Sequence, residues 1–429
     1  MVFNHLSAKQ KRVFRWPYEK NSYALICDGS VRSGKTAAMS AAFVLWAMKD
    51  FNHQNFAFCG NTVQSAERNI IMPLMQMTDI TYYFRLRYLG SKHILTVTGG
   101  GHENDFYIFG GKDESSYKLV QGITLSGVLF DEVALMPESF VQQTIARTLS
   151  VSDARIWFSC NPESPAHWFY QEWILKKDQK HAEHIHFTMR DNPIMSEEKI
   201  ERTESLYSGV FYDRYVRGLW VVAEGLIYPM WEGALEHPPT RQADRYALSI
   251  DYGTQNAFAA ILWGRFAGVW YQIKEYYYSG RTERVQKTDE EYADDMDAFL
   301  ESYVPDGCAH IDRPVKFLRD GEKLMTLLDP SAASFLTTLL KRKYYKVIKA
   351  DNDVVDGIRD TATALHTGKL KLNPECEKTL FEIQNYVWDK KSNDDKPVKE
   401  NDHAMDSMRY MAFTLHITKK QAERRASID

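Results

Sequence analysis

Residues Gly29-Ser30-Val31-Arg32-Ser33-Gly34-Lys35-Thr36 lie between two apolar runs, YALIC and AAMSAAFVLWAM. Two glycines with four residues between them, followed by Lys and Thr, have the spacing of a loop that wraps a nucleotide's phosphates. The glycines let backbone N–H groups turn inward, and the helix that follows adds the positive end of its dipole. Lys35 reaches the β- and γ-phosphates, and the Thr36 hydroxyl ligates Mg²⁺. The bland reading is a glycine turn between a strand and a helix. Arg32 lies inside the loop, and the sequence leaves open whether it acts on the γ-phosphate in cis. A nucleotide loop needs an acidic pair at the end of a buried strand, and GVLFDE supplies Asp131 to hold Mg²⁺ through water and Glu132 to polarise the attacking water. Taken alone, that pair is equally the acidic start of a helix. SCNP (Ser159, Cys160, Asn161, Pro162) ends another apolar run. Its Ser and Asn are placed to sense the γ-phosphate and relay its loss, or the segment is only an Asn-Pro turn. Gln10, in LSAKQ, reads adenine through two hydrogen bonds or is a surface glutamine.

A second set of candidates is acidic. Asp251 (LSIDYGT) and Asp329 (TLLDPSA) end apolar strands, and Asp406 (DHAMDSMRY) lies on a helix with His403 one turn earlier on the same face. Three carboxylates suit Mg²⁺ or Mn²⁺, and a pair of such ions activates water and stabilises the leaving oxygen in phosphodiester cleavage. Against this, 57 acidic residues offer many such triples, and Asp before Gly or Pro often only starts a turn. Glu275, late in a strand, is an extra ligand or a plain exposed residue. Lys341, Arg342 and Lys343 form the densest basic cluster, suited to DNA phosphates. The acidic run from Asp289 to Asp297 reads as a solvated helix face.

The elements that must position these groups change character along the chain. In the first half, strands at SYALIC, NFAFCG, GVLFDE and ARIWFSCNP alternate with helices, one from Lys35 and one through TVQSAERNIIMPLMQ, while HILTVTG and DFYIFGG pair as a hairpin. This is an α/β pattern with a mostly parallel sheet, whose strand ends are where ligands bind. RGLWVVAEGLIYPMWEGALEHPPTRQAD has no clean period and marks a junction. Beyond it, YALSIDYG, AFAAILWGRF and GVWYQIKEYYY form a meander, followed by alternating helices and strands, the order of an RNase H-like domain. The expected division is a P-loop ATPase domain at 1–217, a junction at 218–240 and an RNase H-like α/β nuclease domain at 241–429.

Composition narrows the classes. A chain of 429 residues exceeds one typical core, and a net charge of −4 confines any nucleic-acid contact to a local surface. Five scattered cysteines (Cys27, Cys59, Cys160, Cys308, Cys376) with no CxxC pair argue against a disulfide framework or cysteine-rich zinc site and for a reducing compartment. No stretch has the length or apolarity of a signal peptide or membrane span, so the expected location is cytoplasmic.

In order, LSAKQ, GSVRSGKT, GVLFDE, WFSCNPE with HWFY, FTMRDNP, SIDYGT, LLDPSA and KENDHAMDSMRY resemble the large subunit of tailed-bacteriophage terminases of the PBSX type, over nearly the whole chain. The resemblance implies a DNA-packaging ATPase fused to an endonuclease. It cuts concatemeric double-stranded DNA and drives it into a procapsid through the portal protein, with a terminase small subunit and a pentameric homo-oligomeric ring as partners. The setting is the host bacterial cytoplasm, with transient docking on the portal and no membrane. It makes Lys35 and Thr36 the P-loop residues, Asp131 and Glu132 the Walker B pair, Ser159 to Pro162 the coupling motif, and Asp251, Asp329 and Asp406 the nuclease triad beside His403. It also supports Gln10 as the adenine reader, and implies ATP with Mg²⁺ at the first site and Mg²⁺ or Mn²⁺ at the second. One position departs from the pattern. Relatives often carry Arg before the Gly in the segment preceding Walker B, and here LVQGITLSG places Gln121 there. Arg147 is the substitute for the arginine that completes a neighbour's site. Two alternatives stand beside this reading, a P-loop ATPase that binds DNA without cleaving it and a helicase-like ATPase.

Overall fold

The computed structural model describes residues 5–19, 22–253, 256–306, 315–319, 321–389 and 395–418, so Cys308 and part of the polar loop before Asp402 lie outside the described residues. The chain divides into two compact units, Met1–Glu204 with Val210–Val222 and Ser205–Gly209 with Ala223–Asp429.

The first unit is built on eight strands: β1 (Ala24–Gly29), β2 (Asn55–Gly60), β3 (Arg85–Leu89), β4 (Ile94–Gly99), β5 (His102–Gly110), β6 (Gly127–Asp131), β7 (Arg155–Ser159) and β8 (Ala182–Phe187), in the order β3-β4-β5-β2-β6-β7-β1-β8. From β5 to β8 the pairings are parallel; β3 and β4 add an antiparallel edge. The hairpin expected between β4 and β5 turns at Gly100 and Gly101, both at positive φ, as a tight hairpin turn needs. β1, β2, β6 and β7 read as continuous apolar runs because they are covered on both faces. The helix Lys35–Asp50 lies against them, and its Phe43 ring touches Trp46, Phe56, Phe58, Phe106 and Trp157 at centroid distances of 5.3–5.9 Å. That aromatic core anchors the helix whose N-terminus closes the glycine loop.

The helix expected through TVQSAERNIIMPLMQ is broken. A short α turn, Val63–Ala66, passes into a π turn, Glu67–Ile71, before α geometry resumes at Met72–Gln76. Pro73 sits just beyond the π turn; it has no N–H to return to the preceding turn.

The second unit has six strands: β9 (Arg245–Asp251), β10 (Ala257–Phe266), β11 (Val269–Ser279), β12 (Leu324–Leu328), β13 (Tyr345–Lys349) and β14 (Leu370–Lys371), in the order β13-β12-β9-β10-β11-β14. β9, β10 and β11 form the antiparallel meander, and β12 and β13 extend the sheet in parallel from β9. This is the RNase H-like order, with the carboxyl ends of β9 and β12 side by side. The segment read as a junction is divided between the units. Residues 218–222 belong to the first. From Ala223 onward the chain is fastened into the second by bridges Leu226–Val387 and Leu235–Leu372, by the Ile227 N–H to the Tyr386 carbonyl at 2.9 Å, and by the buried Tyr228.

Candidate functional site

In the first unit the glycine loop joins β1 to the helix Lys35–Asp50. Asp28 at the end of β1 is buried and accepts hydrogen bonds from His184 Nε2 (2.8 Å), His186 Nδ1 (3.0 Å) and Trp220 Nε1 (2.8 Å). Burial pushes its carboxyl up, but the two histidine hydrogen bonds outweigh this and hold it below the ordinary range. A Cβ at Gly29 would overlap the Phe187 carbonyl, so only glycine fits. Ser30 and Val31 give their N–H groups to Phe187 and Tyr215. The donors left for phosphate are those of the later loop and of the first helical turn, which has no intrahelical acceptors.

The side chains form one network. Lys35 Nζ, nearly buried, donates to Asn161 Oδ1 at 2.7 Å and to the Ser30 carbonyl at 3.1 Å, and burial lowers its pKa. Thr36 Oγ1 donates to Asp131 Oδ1 at 2.7 Å and lies 3.2 Å from Ser159 Oγ. Burial raises the Asp131 carboxyl, with Thr36 and Asn69 opposing it. Glu132 follows in the left-handed region (φ 58), a strained backbone of the kind that collects at functional sites. Asn161 and Ser159 thus touch Lys35 and Thr36, whereas Cys160 is fully buried and its thiol is pushed far up by burial, so it belongs to the core.

Three polar atoms around this loop are buried without a partner among the described residues: Gln10 Nε2, Ser30 Oγ and Ser33 Oγ. Buried polar atoms are almost always satisfied, so three such atoms at one loop fit a bound nucleotide. Gln10 Oε1 accepts from the Ser7 N–H at 3.1 Å, as part of the capping box of the helix Ala8–Arg15, and keeps a second lone pair beside the Nε2 donor. Gly34, at φ +79, has Gln10 Nε2 and the Asn192 side chain against the place a Cβ would take, and Asn192 Nδ2 donates to the Arg32 carbonyl at 2.7 Å. Arg32 is exposed, at φ 59. Arg147 caps the helix Glu138–Ala146, and its carbonyl accepts from Leu125 ahead of β6, whereas Asp131 ends that strand. Six extended residues span about 20 Å, so the backbone of Arg147 is at the far end of the strand from its own phosphate loop. Asn69 and Asn192 escaped the sequence reading. Asn192 lies in the quoted FTMRDNP, and nothing in residue spacing marks Asn69.

In the second unit Asp251, Asp329 and Asp406 line one cavity of about 810 Å³ with His403, Arg409 and Tyr410. Asp251 is pushed up to about 6, first by burial and then by Asp406 and Asp329; its Oδ2 meets His403 Nδ1 at 2.9 Å. Burial would lower His403, but the bond to Asp251 outweighs it and raises the imidazole. Asp406 Oδ1 accepts from Arg409 Nη2 at 2.9 Å, and both oxygens of Asp329 accept from Ser331. The donors are hard oxygens of the kind Mg²⁺ or Mn²⁺ takes. Among the described residues, however, no three His, Cys, Asp or Glu side chains are close enough to hold one ion.

Two expectations are corrected. Glu275 is not free to ligate. Its Oε1 accepts from the Lys378 N–H (2.7 Å) and its Oε2 from the Thr379 N–H (2.8 Å), capping the helix Glu377–Asn385. The basic cluster is largely spent, with Arg342 bonded to Asp294 and Asp297 at 2.6 Å each and Lys341 to Glu290 at 3.2 Å, so the acidic run on Asp289–Glu301 is partly paired rather than only solvated. Glu382, missed in the sequence, is buried and accepts from Tyr277 (2.8 Å) and the Ala404 N–H (2.6 Å); it caps the helix carrying His403 and Asp406. Among the described residues no helix is long and apolar enough to cross a membrane.

The family described as "Terminase large subunit, T4likevirus-type, N-terminal" matches residues 26–232. The large terminase of a thermophilic bacteriophage is 46% identical, with a TM-score of 0.87 over 96% of this chain and 99% of that one. The structure of that terminase in complex with ADP superposes at 45% identity with a TM-score of 0.85, over 96% and 100% of the two chains. The "Terminase, large subunit" of Escherichia phage T5 is 22% identical over 309 residues, and the match spans 67% of this chain and 65% of that relative's length.

Proposed function

Because this chain belongs to the terminase large-subunit family, we propose that its first unit hydrolyses ATP to drive double-stranded DNA into a procapsid through the portal, and that its second unit cuts concatemeric DNA. The observation that carries the motor reading is the network of Lys35, Thr36, Asp131, Ser159 and Asn161 beside three orphaned buried polar atoms. ATP occupies the loop, with Gln10 Nε2 toward its base and Lys35 toward its phosphates. Mg²⁺ held at Thr36 and Asp131 would neutralise developing phosphate charge. Glu132 orients the attacking water. Lys35 is shared between Asn161 and the phosphates, so its hand-over between them is the means by which the SCNP segment reads the γ-phosphate.

For the second unit, Asp251, Asp329 and Asp406 form the cutting site with His403 as neighbour, and Mg²⁺ or Mn²⁺ would supply an activated water. The ring of copies, the portal, the small subunit and the host cytoplasm as the site of packaging belong to the same reading. The non-cleaving alternative draws on there being, among the described residues, no three acidic or His/Cys side chains grouped to hold one ion, and on the Arg409 hydrogen bond to Asp406. The helicase alternative loses its ground because the second unit is a meander with parallel flanks rather than a second P-loop lobe. ATPase assays and plasmid digestion in Mn²⁺ or EDTA, on one preparation of parent and Lys35→Ala protein, test both halves. Lys35→Ala is expected to abolish ATP turnover and leave Mn²⁺-dependent cleavage. Undiminished turnover removes the loop assignment, and cleavage equal in EDTA, or absent in Mn²⁺, removes the metal-nuclease assignment.

A further inference from the structure

Asp131 is held from two sides. Thr36 Oγ1 takes Oδ1 at 2.7 Å, and Asn69 Nδ2 donates to Oδ2 at 3.2 Å. Asn69 is presented by the π turn Glu67–Ile71, a segment that no phosphate-loop motif includes. Isolated π turns collect at functional sites because they redirect one side chain within an otherwise regular helix. This turn is anchored on both sides of Asn69. Its Ile70 and Ile71 are buried, and Thr62 and Ser65 close a capping box at the start of the preceding α turn. The sense of the Asn69 amide is also set, because Arg68 Nε lies 3.4 Å from Asn69 Oδ1. The flipped amide would place Oδ1 against the carboxylate, two acceptors with no proton between them.

We infer that Asn69 is a positioning residue of the nucleotide site. It fixes the Asp131 carboxylate so that the metal accompanying the nucleotide meets it in one orientation, and Arg68 sets the direction of the amide. The inference rests on the reading of the first unit as an ATPase. It departs from a packing role in a checkable way, because a packing residue is replaced by its shape and a hydrogen-bond donor is not.

The test uses the full chain with a non-hydrolysable ATP analogue. MgCl₂ is titrated while the analogue-dependent rise in unfolding temperature is read, and ATP turnover is followed in parallel. Asn69→Ala and the similarly sized Asn69→Leu are both expected to raise the Mg²⁺ midpoint about tenfold, the usual scale for losing a partner of a metal-site ligand. Turnover should recover at saturating Mg²⁺. Arg68→Ala, an exposed position, is expected to move the midpoint the same way by only about threefold, below the roughly 10–100-fold scale for a direct partner of a metal ligand, because Arg68 acts through Asn69. An Asn69→Leu protein with the parent's midpoint overturns the inference. If neither Asn69 variant folds, an unmoved midpoint in Arg68→Ala overturns it. A parent whose unfolding temperature ignores the analogue and Mg²⁺ together overturns the nucleotide-site reading itself, and this inference with it.

Discussion

At the scale of the residue, the two sites bury their key carboxylates among different neighbours. Asp131 is surrounded by neutral donors, Thr36, Asn69 and Ser159, and by a lysine. Glu132 stands next to it in a strained backbone. Glu132→Gln leaves Thr36 and Asp131 in place, so it is expected to bind ATP as the parent does and to hydrolyse it at least about a hundredfold more slowly, as removal of a general base does. Equilibrium binding beside turnover checks this, and ATP binding lost as badly as hydrolysis would make Glu132 structural. Asp251, by contrast, faces like charges. Its carboxyl is raised toward 6, so its ionised form costs stability, beginning as pH rises above the ordinary value of 3.8 and complete above about 6. The His403 imidazolium that offsets this is itself lost as pH rises through its raised value. In the absence of metal, Asp251→Asn should therefore be more stable than the parent at pH 8. The gain is at most about 3 kcal/mol, the cost of ionising a carboxyl raised from 3.8 to about 6. The advantage should shrink at pH 4. Melting curves across that range decide it; a variant less stable than the parent at pH 8 would mean that the His403 contact outweighs burial and repulsion.

At the scale of the element, helix N-termini decide which acids are free. Glu275 and Glu382 each bond two backbone N–H groups at the start of a helix, at Lys378–Thr379 and Ala404–Met405. Glu275→Ala is expected to lower stability by about 0.5–2 kcal/mol, the range for a lost cap. The metal dependence of DNA cleavage should stay unchanged, and a raised Mn²⁺ requirement would return Glu275 to the ligand set. Sequence reading could not separate these roles, because the partner of Glu275 lies 103 residues further on. What it could read were elements whose burial writes itself into composition: β1, β2, β6, β7, the glycine loop and the meander. β8 (AEHIHF) was not legible, since its histidines face Asp28 instead of apolar neighbours. β3 (RLRYL) is an edge strand whose two arginines break up any apolar run. The π turn was invisible for another reason. Its apolar spacing satisfies an α-helix, and only the backbone shows the extra residue.

At the scale of the whole molecule, the boundary between the units sets what can fold alone. The sequence placed the start of the second unit at 241, after a Gly- and Pro-rich stretch. In the structure that stretch supplies core. Tyr228 and Ala234 are fully buried, Ile227 nearly so, and Leu226 and Leu235 bridge to Val387 and Leu372. A fragment starting at Arg241 exposes the surface these residues cover and strips the partner from the Tyr386 carbonyl. Losing a buried tyrosine and isoleucine costs on the order of 5 kcal/mol or more by comparison with large-to-small core changes, a large share of a domain's usual stability of roughly 5–15 kcal/mol. A fragment covering residues 223–429 is therefore expected to show one cooperative unfolding transition, and one covering 241–429 to be far less stable or unfolded at the same temperature. The 223–429 fragment should nick DNA in Mn²⁺ and not in EDTA, because all three candidate carboxylates and the elements that carry them lie within it. With Arg342 and Lys341 already committed to acidic partners, its hold on DNA should be weak. It should fall further with salt, without sequence preference, as phosphate contacts do. Equal stability of the two fragments in calorimetry would return residues 223–240 to the role of a linker.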